Sequence, residues 1–302
     1  MGLDVTHSFK GLYSYADRYG EVVYRELNPI HPIEQERDWV HPTDEMKSNL
    51  LGIFTKGPEE QEWVYAGYVS ELYKFMGNDV VNQRIRDSIQ SVGMPILEEN
   101  TILWDSFCRM RNEVILQSSQ STREAGDVLP VMIVNNSYNG TRAATLGFGM
   151  AIDNVGRQVG RTIFGFSLGE MRQVHIDHSS TQLSTAVGSY MQVFTQDITE
   201  MITSSFNSTL NEDEMLSVLD IIEGIGKKKK EKISDILAEL NPPQQEGTPP
   251  PLPSAWQVFL AIARYSSLEP NLNSKRLLEN AAESVLVIPP RMYEVLETLQ
   301  SS

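Results

Sequence analysis

The chain has 302 residues, 40 % of them apolar, with one cysteine and a formal net charge of −15. That is enough apolar material for one large or two medium domains, so the chain is not disordered overall. The acidic total argues against a generic nucleic-acid or anionic-membrane binder, and the single Cys108 excludes an internal disulfide and a cysteine-based zinc site.

Residues 131–180 carry four basic and three acidic residues, while both flanks have an acidic excess. No apolar run reaches the roughly 18–20 residues of a membrane span. With no basic-then-apolar leader in the sequence, the expectation is a cytoplasmic protein without membrane contact.

In chain order, residues 1–57, punctuated by Pro29, Pro32 and Pro42, read as short strands and loops. The spacing of apolar residues predicts a helix from Glu59 to Met76. A second is expected from a cap at Asn78 or Asp79 to about Val92, broken by Gly93 and Pro95. A third is expected over Thr101–Leu116, where Leu103, Phe107, Met110 and Val114 recur at threes and fours. Residues 1–127 therefore read as a mixed, largely helical region.

The period then changes to two. Val128 to Asn135 reads as a strand, and Asn139-Gly140 is the favoured pair for a two-residue hairpin turn. In the next strand Leu146, Phe148, Met150 and Ile152 share one face, and Gly147 and Gly149 lie on the other. After a turn at Asp153-Asn154-Val155-Gly156, a third strand runs from Gln158 to Phe166, and a fourth from Arg172 to Ile176 beyond a turn at Gly169. From Leu183 to Ile202 an apolar stripe marks one long amphipathic helix, expected on the Leu146/Phe148/Met150 face. The fold class is α+β: an antiparallel β-meander followed by a long amphipathic helix, with helical N-terminal and C-terminal parts.

Four segments follow from this reading: 1–127; 128–240, with the meander, the long helix and a lysine-rich hairpin; 241–253; and 254–302. Segment 241–253 holds six prolines and reads as a solvated linker. Ser254-Ala255-Trp256-Gln257 reads as a capping box opening the C-terminal helices.

Three features carry chemistry. Glycines in a strand mark a close approach, so Gly147 and Gly149 predict either a nucleic-acid backbone or second subunit, or another stretch of the same chain, against that face. Gly224-Ile225-Gly226 leads into Lys227, Lys228, Lys229, Lys230 and Lys232, and resembles the Gly-Ile-Gly turn of DNA-binding helix-hairpin-helix motifs. Backbone N–H groups at such a helix start suit a phosphate. Glu223 stands where those motifs usually have proline, and Lys230 where they have a small residue; the ordinary alternative is a solvated lysine run balancing nearby acids. His175, Asp177 and His178 are polar strand-end residues rather than a converging metal set. Nucleotide-loop, nucleophile-elbow and zinc-helix motifs are absent, so neither cofactor nor catalytic residue is expected.

Ile133 to Ala143, followed by Leu146-Gly147-Phe148-Gly149, resembles a phage- and plasmid-encoded family of unknown function. Its hallmark is an Asn-Ser-His-Asp-Gly turn between two strands. Here that turn reads Asn136-Ser137-Tyr138-Asn139-Gly140, with the His and Asp replaced. The strand and helix order also resembles the core of phage single-strand annealing proteins, which form rings or filaments and bind DNA along a basic groove. The resemblance implies a non-enzymatic, oligomeric, DNA-associated recombination factor. Its partner would be single- or double-stranded DNA. Arg142, Arg157, Arg161 and Arg172 would meet phosphates, Tyr138 would stack on a base, and the Gly224–Lys232 hairpin would be a second contact. The alternative is a self-assembling structural or host-inhibiting phage protein that acts on phage or host proteins through its acidic surface.

Overall fold

A computed structural model describes residues 13–17, 20–26, 50–57, 59, 62–70, 77–117, 120–122, 126–139, 144–153, 161–173, 180–242 and 251–301. The architecture is α+β. Four antiparallel strands, β1 (Tyr13–Asp17), β2 (Gly20–Glu26), β3 (Leu50–Lys56) and β4 (Val64–Ser70), form one sheet in chain order. The second sheet has the order β10-β9-β8-β6-β5, from β5 (Ile96–Trp104), β6 (Arg109–Leu116), β8 (Gly126–Ser137), β9 (Ala144–Asp153) and β10 (Arg161–Gln173). A short β7 (Gln120–Thr122) pairs with the start of β8. The helices are α1 (Asn78–Ser91), α2 (Ser180–Asn207), α3 (Glu212–Ile225), α4 (Lys227–Leu240), α5 (Ala255–Ser267), α6 (Leu272–Glu283) and α7 (Pro290–Ser301).

The described N-terminal region is mainly strand, which corrects the largely helical expectation. Tyr65, Tyr68 and Val69, read as helix, lie on β4, and Thr101–Leu116 is the β5–β6 hairpin. The same residues satisfy period two: Met110, Asn112, Val114 and Leu116 face one way, and Arg111, Glu113 and Ile115 the other. Both segments are rich in β-branched and aromatic residues, and cross-strand pairing decided between the two periods. The hairpin turn is unusual. Asp105, Ser106 and Phe107 all adopt left-handed backbone, φ 53°, 54° and 60°, which costs non-glycine residues roughly 1–2 kcal/mol each. It is held from several sides. The Cys108 N–H (3.2 Å) and Sγ (2.8 Å) both donate to Asp105 O, Arg109 pairs with Asp105 at 3.0 Å, and Thr55 of β3 donates to Ser106 O.

Helix α1 docks through buried amides as well as apolar residues. Asn112 donates to Asn82 (2.9 Å) and Glu99 (2.6 Å), and Asn136 donates to Asn78 (2.9 Å). Asn78 is therefore spent inside, and the α1 N-cap is Gly77.

The meander stands, with one correction. Strand β8 ends at Ser137 and β9 begins at Ala144, and Gly140 of the expected Asn139-Gly140 turn lies outside the described residues. Asn139 ties the two sheets, donating to Ala66 O (3.4 Å) and Cys108 Sγ (3.0 Å). The expected third and fourth strands are one strand, β10, with a bulge between Phe166 and Met171 in place of a turn at Gly169. The buried Glu283 carboxylate accepts from Ser167 N–H (2.6 Å) and Leu168 N–H (3.4 Å), and so satisfies the bulge from within.

Helix α2 lays its stripe on the expected face. Tyr190 packs on Phe148 with ring centroids 4.3 Å apart, and its hydroxyl donates to Gly149 O. Phe164 of β10 meets Phe259 of α5 at 4.9 Å, so one core joins the meander to the C-terminal helices. The proline-rich segment therefore does not divide the chain into separate units. Its described ends are pinned: Asn241 donates to Pro251 O (2.7 Å), Leu210 N–H to Pro253 O (3.1 Å) and Gln257 to Leu240 O (3.0 Å). The rest of it, 243–250, lies outside the described residues. Ser254 and Gln257 form the expected capping box.

Two glycines test this packing in opposite directions. A Cβ at Gly149 would lie 2.0 Å from Phe164 O, whereas one at Gly188 in α2 would meet nothing nearer than 3.5 Å. Gly149→Ala should destabilise by about 1–3 kcal/mol through overpacking. Gly188→Ala should stabilise by up to about 1 kcal/mol through helix propensity. Denaturant unfolding of both variants measures the two signs.

Candidate nucleic-acid interface and a buried charge cluster

The lysine-rich segment is a helical hairpin. Asn211 and Glu214 close a capping box on α3, Gly224 lies in its last turn, and Gly226 alone separates it from α4. Ile222 and Ile233 are buried between the helices, as the spacing requires. The first intrahelical bonds of α4 run from Lys229 N–H (2.9 Å) and Lys230 N–H (3.2 Å) to Gly226 O. The N–H groups of Lys227 and Lys228 precede them, at the positive end of the helix. Lys227, Lys228 and Lys232 are exposed and make no ion pair with a described residue. Lys229 is paired with Glu269, and Lys230 lies 3.9 Å from Asp220. This arrangement opposes local helix physics. Like charge at a helix N-terminus costs about 0.3–1 kcal/mol per group, and a bound anion there would reverse the sign.

The other anticipated contacts are not gathered with it. Tyr138 is only 5 % exposed, and its hydroxyl accepts from Asn78 N–H at 3.3 Å, so in this structure it offers no open face to a base. Arg161 is engaged by two carboxylates, Asp153 at 2.8 Å and Glu98 at 2.7 Å. Arg172 lies on β10 opposite Thr145, with its side chain outside the described residues. Arg142, Arg157, His175, Asp177 and His178 also lie outside them.

The glycine face is covered by the chain itself. A Cβ at Gly165 would come within 2.6 Å of Ile133 Cδ1 and 3.7 Å of Glu279 on α6. Strands β8 and β10 thus curl toward each other over Gly147, Gly149 and Gly165, and α6 closes the hollow. Inside it lie two bases and two acids. Arg111 contacts Glu113 at 2.8 Å and Glu279 at 3.1 Å, and Lys275 contacts Glu113 at 3.4 Å; all four are at most 7 % exposed. Burial pushes the Glu113 carboxyl up, but Arg111 and then Lys275 outweigh it and hold the group below its usual range. Burial, seconded by Arg111, lowers Lys275. Glu283, one turn on from Glu279, is raised by burial.

The sequence reading missed this cluster, although Lys275, Glu279 and Glu283 recur every four residues on one helix face. A cavity of about 50 Å³ beside Trp104, Asn135, Gly147 and Glu279 has room for a few waters rather than a substrate. Among the described residues no grouping of His, Cys, Asp and Glu could hold a metal ion. Cys108 is buried, and its thiol is pushed up to about 12 chiefly by burial and then by Asp105, which leaves it unreactive.

No protein family, curated protein or solved structure matches the chain. Among the described residues no helix is long and apolar enough to cross a membrane.

The cluster sets two expectations. Lys275→Met leaves a net buried negative charge and should cost about 3–5 kcal/mol, with much of it recovered in Glu113→Gln/Lys275→Met. A double-mutant cycle in urea gives the coupling. Glu283 binds its proton more tightly folded than unfolded, so its contribution is favourable below the ordinary value of 4.5 and is lost as pH rises past it. Relative to the parent, Glu283→Gln should therefore gain stability as pH rises above 4.5. Melting curves of both proteins across that range check the sign.

Proposed function

We propose that the chain is a non-enzymatic, DNA-associated protein of phage type, an oligomeric single-strand annealing or recombination factor that meets phosphates through the α3–α4 hairpin. One observation carries the reading: Lys227 and Lys228 stand exposed in the first turn of α4, where folding alone disfavours them, with Lys232 exposed one turn further on. The net charge of −15 makes the rest of the surface repel phosphate, so binding is local, sequence-tolerant and salt-sensitive. Arg161, turned to Asp153 and Glu98, drops out of the contact set; Arg142, Arg157 and Arg172 remain in it.

A second reading is favoured by the outer face of α3, where Leu216 is 56 % and Ile221 53 % exposed. Such apolar residues suit protein partners, as in a self-assembling structural or host-inhibiting protein.

Titration of labelled single- and double-stranded DNA at several salt concentrations separates the two readings. Each phosphate contact contributes about −0.7 to the log–log salt slope on single strands, so Lys227→Ala/Lys228→Ala/Lys232→Ala should flatten the slope by about 2 units. A parent protein that shifts neither DNA form at low salt overturns the DNA reading and leaves the protein-partner one.

A further inference from the structure

A buried charge is ordinarily matched by an opposite one, because leaving water unpaired costs too much. Around the α6 hollow that holds for Glu113, which faces Arg111 and Lys275, and for Glu279, which faces Arg111. It does not hold for Glu283. This carboxylate is 6 % exposed, and it accepts from the Ser167 N–H (2.6 Å), the Ser167 hydroxyl and the Leu168 N–H (3.4 Å), with no ion pair to a described residue. Those donors leave one of its roughly four lone-pair positions open. Burial, seconded by the charge of Glu279, keeps a proton on it.

Glu283 also lines a cleft of about 400 Å³ between the β10 bulge, α6 and α7. Leu168, Leu286, Ile288 and the Tyr293 ring supply its apolar walls, and Tyr293 is 41 % exposed at the rim. The Tyr293 hydroxyl is hydrogen-bonded with Glu297 and lies in the field of Glu283, and both acids raise it. Beside the bulge, Glu170 and Arg276 are taken by each other. Apolar walls around a few hundred cubic ångströms, with one convergent charged group, make a small-molecule site.

We propose that this cleft binds a small organic ammonium ion, its charged nitrogen on Glu283 and its apolar body along Leu168, Leu286, Ile288 and Tyr293. The site lies apart from the α3–α4 hairpin and goes beyond the nucleic-acid reading. The occupant supplies what the fold leaves out: a cation for a buried carboxylate and a donor for its open lone pair. Its arrival releases the proton that burial keeps on Glu283, so binding strengthens as pH rises through that group's raised value, above 4.5. An anion with the same body is repelled by Glu283, and an uncharged one gains apolar contact alone.

Isothermal titration calorimetry of the full chain with hexylammonium, hexanol and hexanoate at neutral pH tests the site. Hexylammonium should bind, hexanol at least about tenfold more weakly for want of a charged hydrogen bond, and hexanoate not at all. The Ser167 and Leu168 amide signals should move in proton–nitrogen correlation spectra. Ser284→Trp fills the cleft from its exposed rim, and Tyr293→Ala removes a wall; each should weaken hexylammonium about tenfold. Glu283→Gln should bind hexylammonium no better than hexanol; melting curves show whether it folds, and if it does not, the two rim variants carry the test. Lys227→Ala/Lys228→Ala/Lys232→Ala should bind the amine like the parent, so this site and the nucleic-acid reading fail separately. Parental affinity in both Ser284→Trp and Tyr293→Ala overturns the proposal. Equal binding of hexanol and hexylammonium does so too, as does a parent that gives neither heat nor amide shifts with hexylammonium.

Discussion

The close approach of β8 to β10 is the constraint on which the rest of the molecule depends. Strands separated by a third normally stand almost 10 Å apart, too far for one side chain to bridge. Here Ile133 reaches the floor at Gly165, because glycines at 147, 149 and 165 leave the inner face bare. The curl makes a hollow, the hollow takes α6, and α6 brings Lys275, Glu279 and Glu283 with it. On the convex side the same curl presents Phe148, Phe164 and Phe166 to α2 and α5. Removing α6 would leave Arg111 and Glu113 without two of their partners, so the sheet and the C-terminal helices are one thermodynamic unit.

What could be read from the residues alone follows from where local and tertiary forces agree. The stripe from Leu183 to Ile202 is long and uninterrupted, and no other structure satisfies it. The alternation around Leu146–Ile152 is equally unambiguous. Thr101–Leu116 failed because Leu103 pairs with Met110 across the hairpin and Val114 shares a face with Met110, so the three come together as they would on one side of a helix, with Phe107 in the turn. The β10 bulge failed for a related reason: Gly169 signals a break, but Glu283, more than a hundred residues away, turns that break into a bulge. The hairpin lysines were legible as a sequence run. That Lys229 and Lys230 are drawn to Glu269 and Asp220 was not, since it depends on how α4 sits beside α3 and α5.

Charge is used in two ways in this molecule. At the α6 hollow, two bases and two acids cancel out of water, and their value lies in fixing one position for the helix. On α4, cations stand in water at a helix end that repels them. The first arrangement is self-sufficient. In the second, Lys227 and Lys228 make no ion pair with a described residue, which sets them apart from Lys229 and Lys230 beside them.

The left-handed turn at Asp105–Phe107 has a consequence for how changes travel through the fold. Within the hairpin, Cys108 and Arg109 hold the turn through Asp105. From outside it, Thr55 of the N-terminal sheet reaches Ser106 and Asn139 reaches Cys108. The turn is therefore shared between elements: a change at Thr55 of the N-terminal sheet reaches the β5–β6 hairpin through Ser106, and a change at Asn139 reaches it through Cys108.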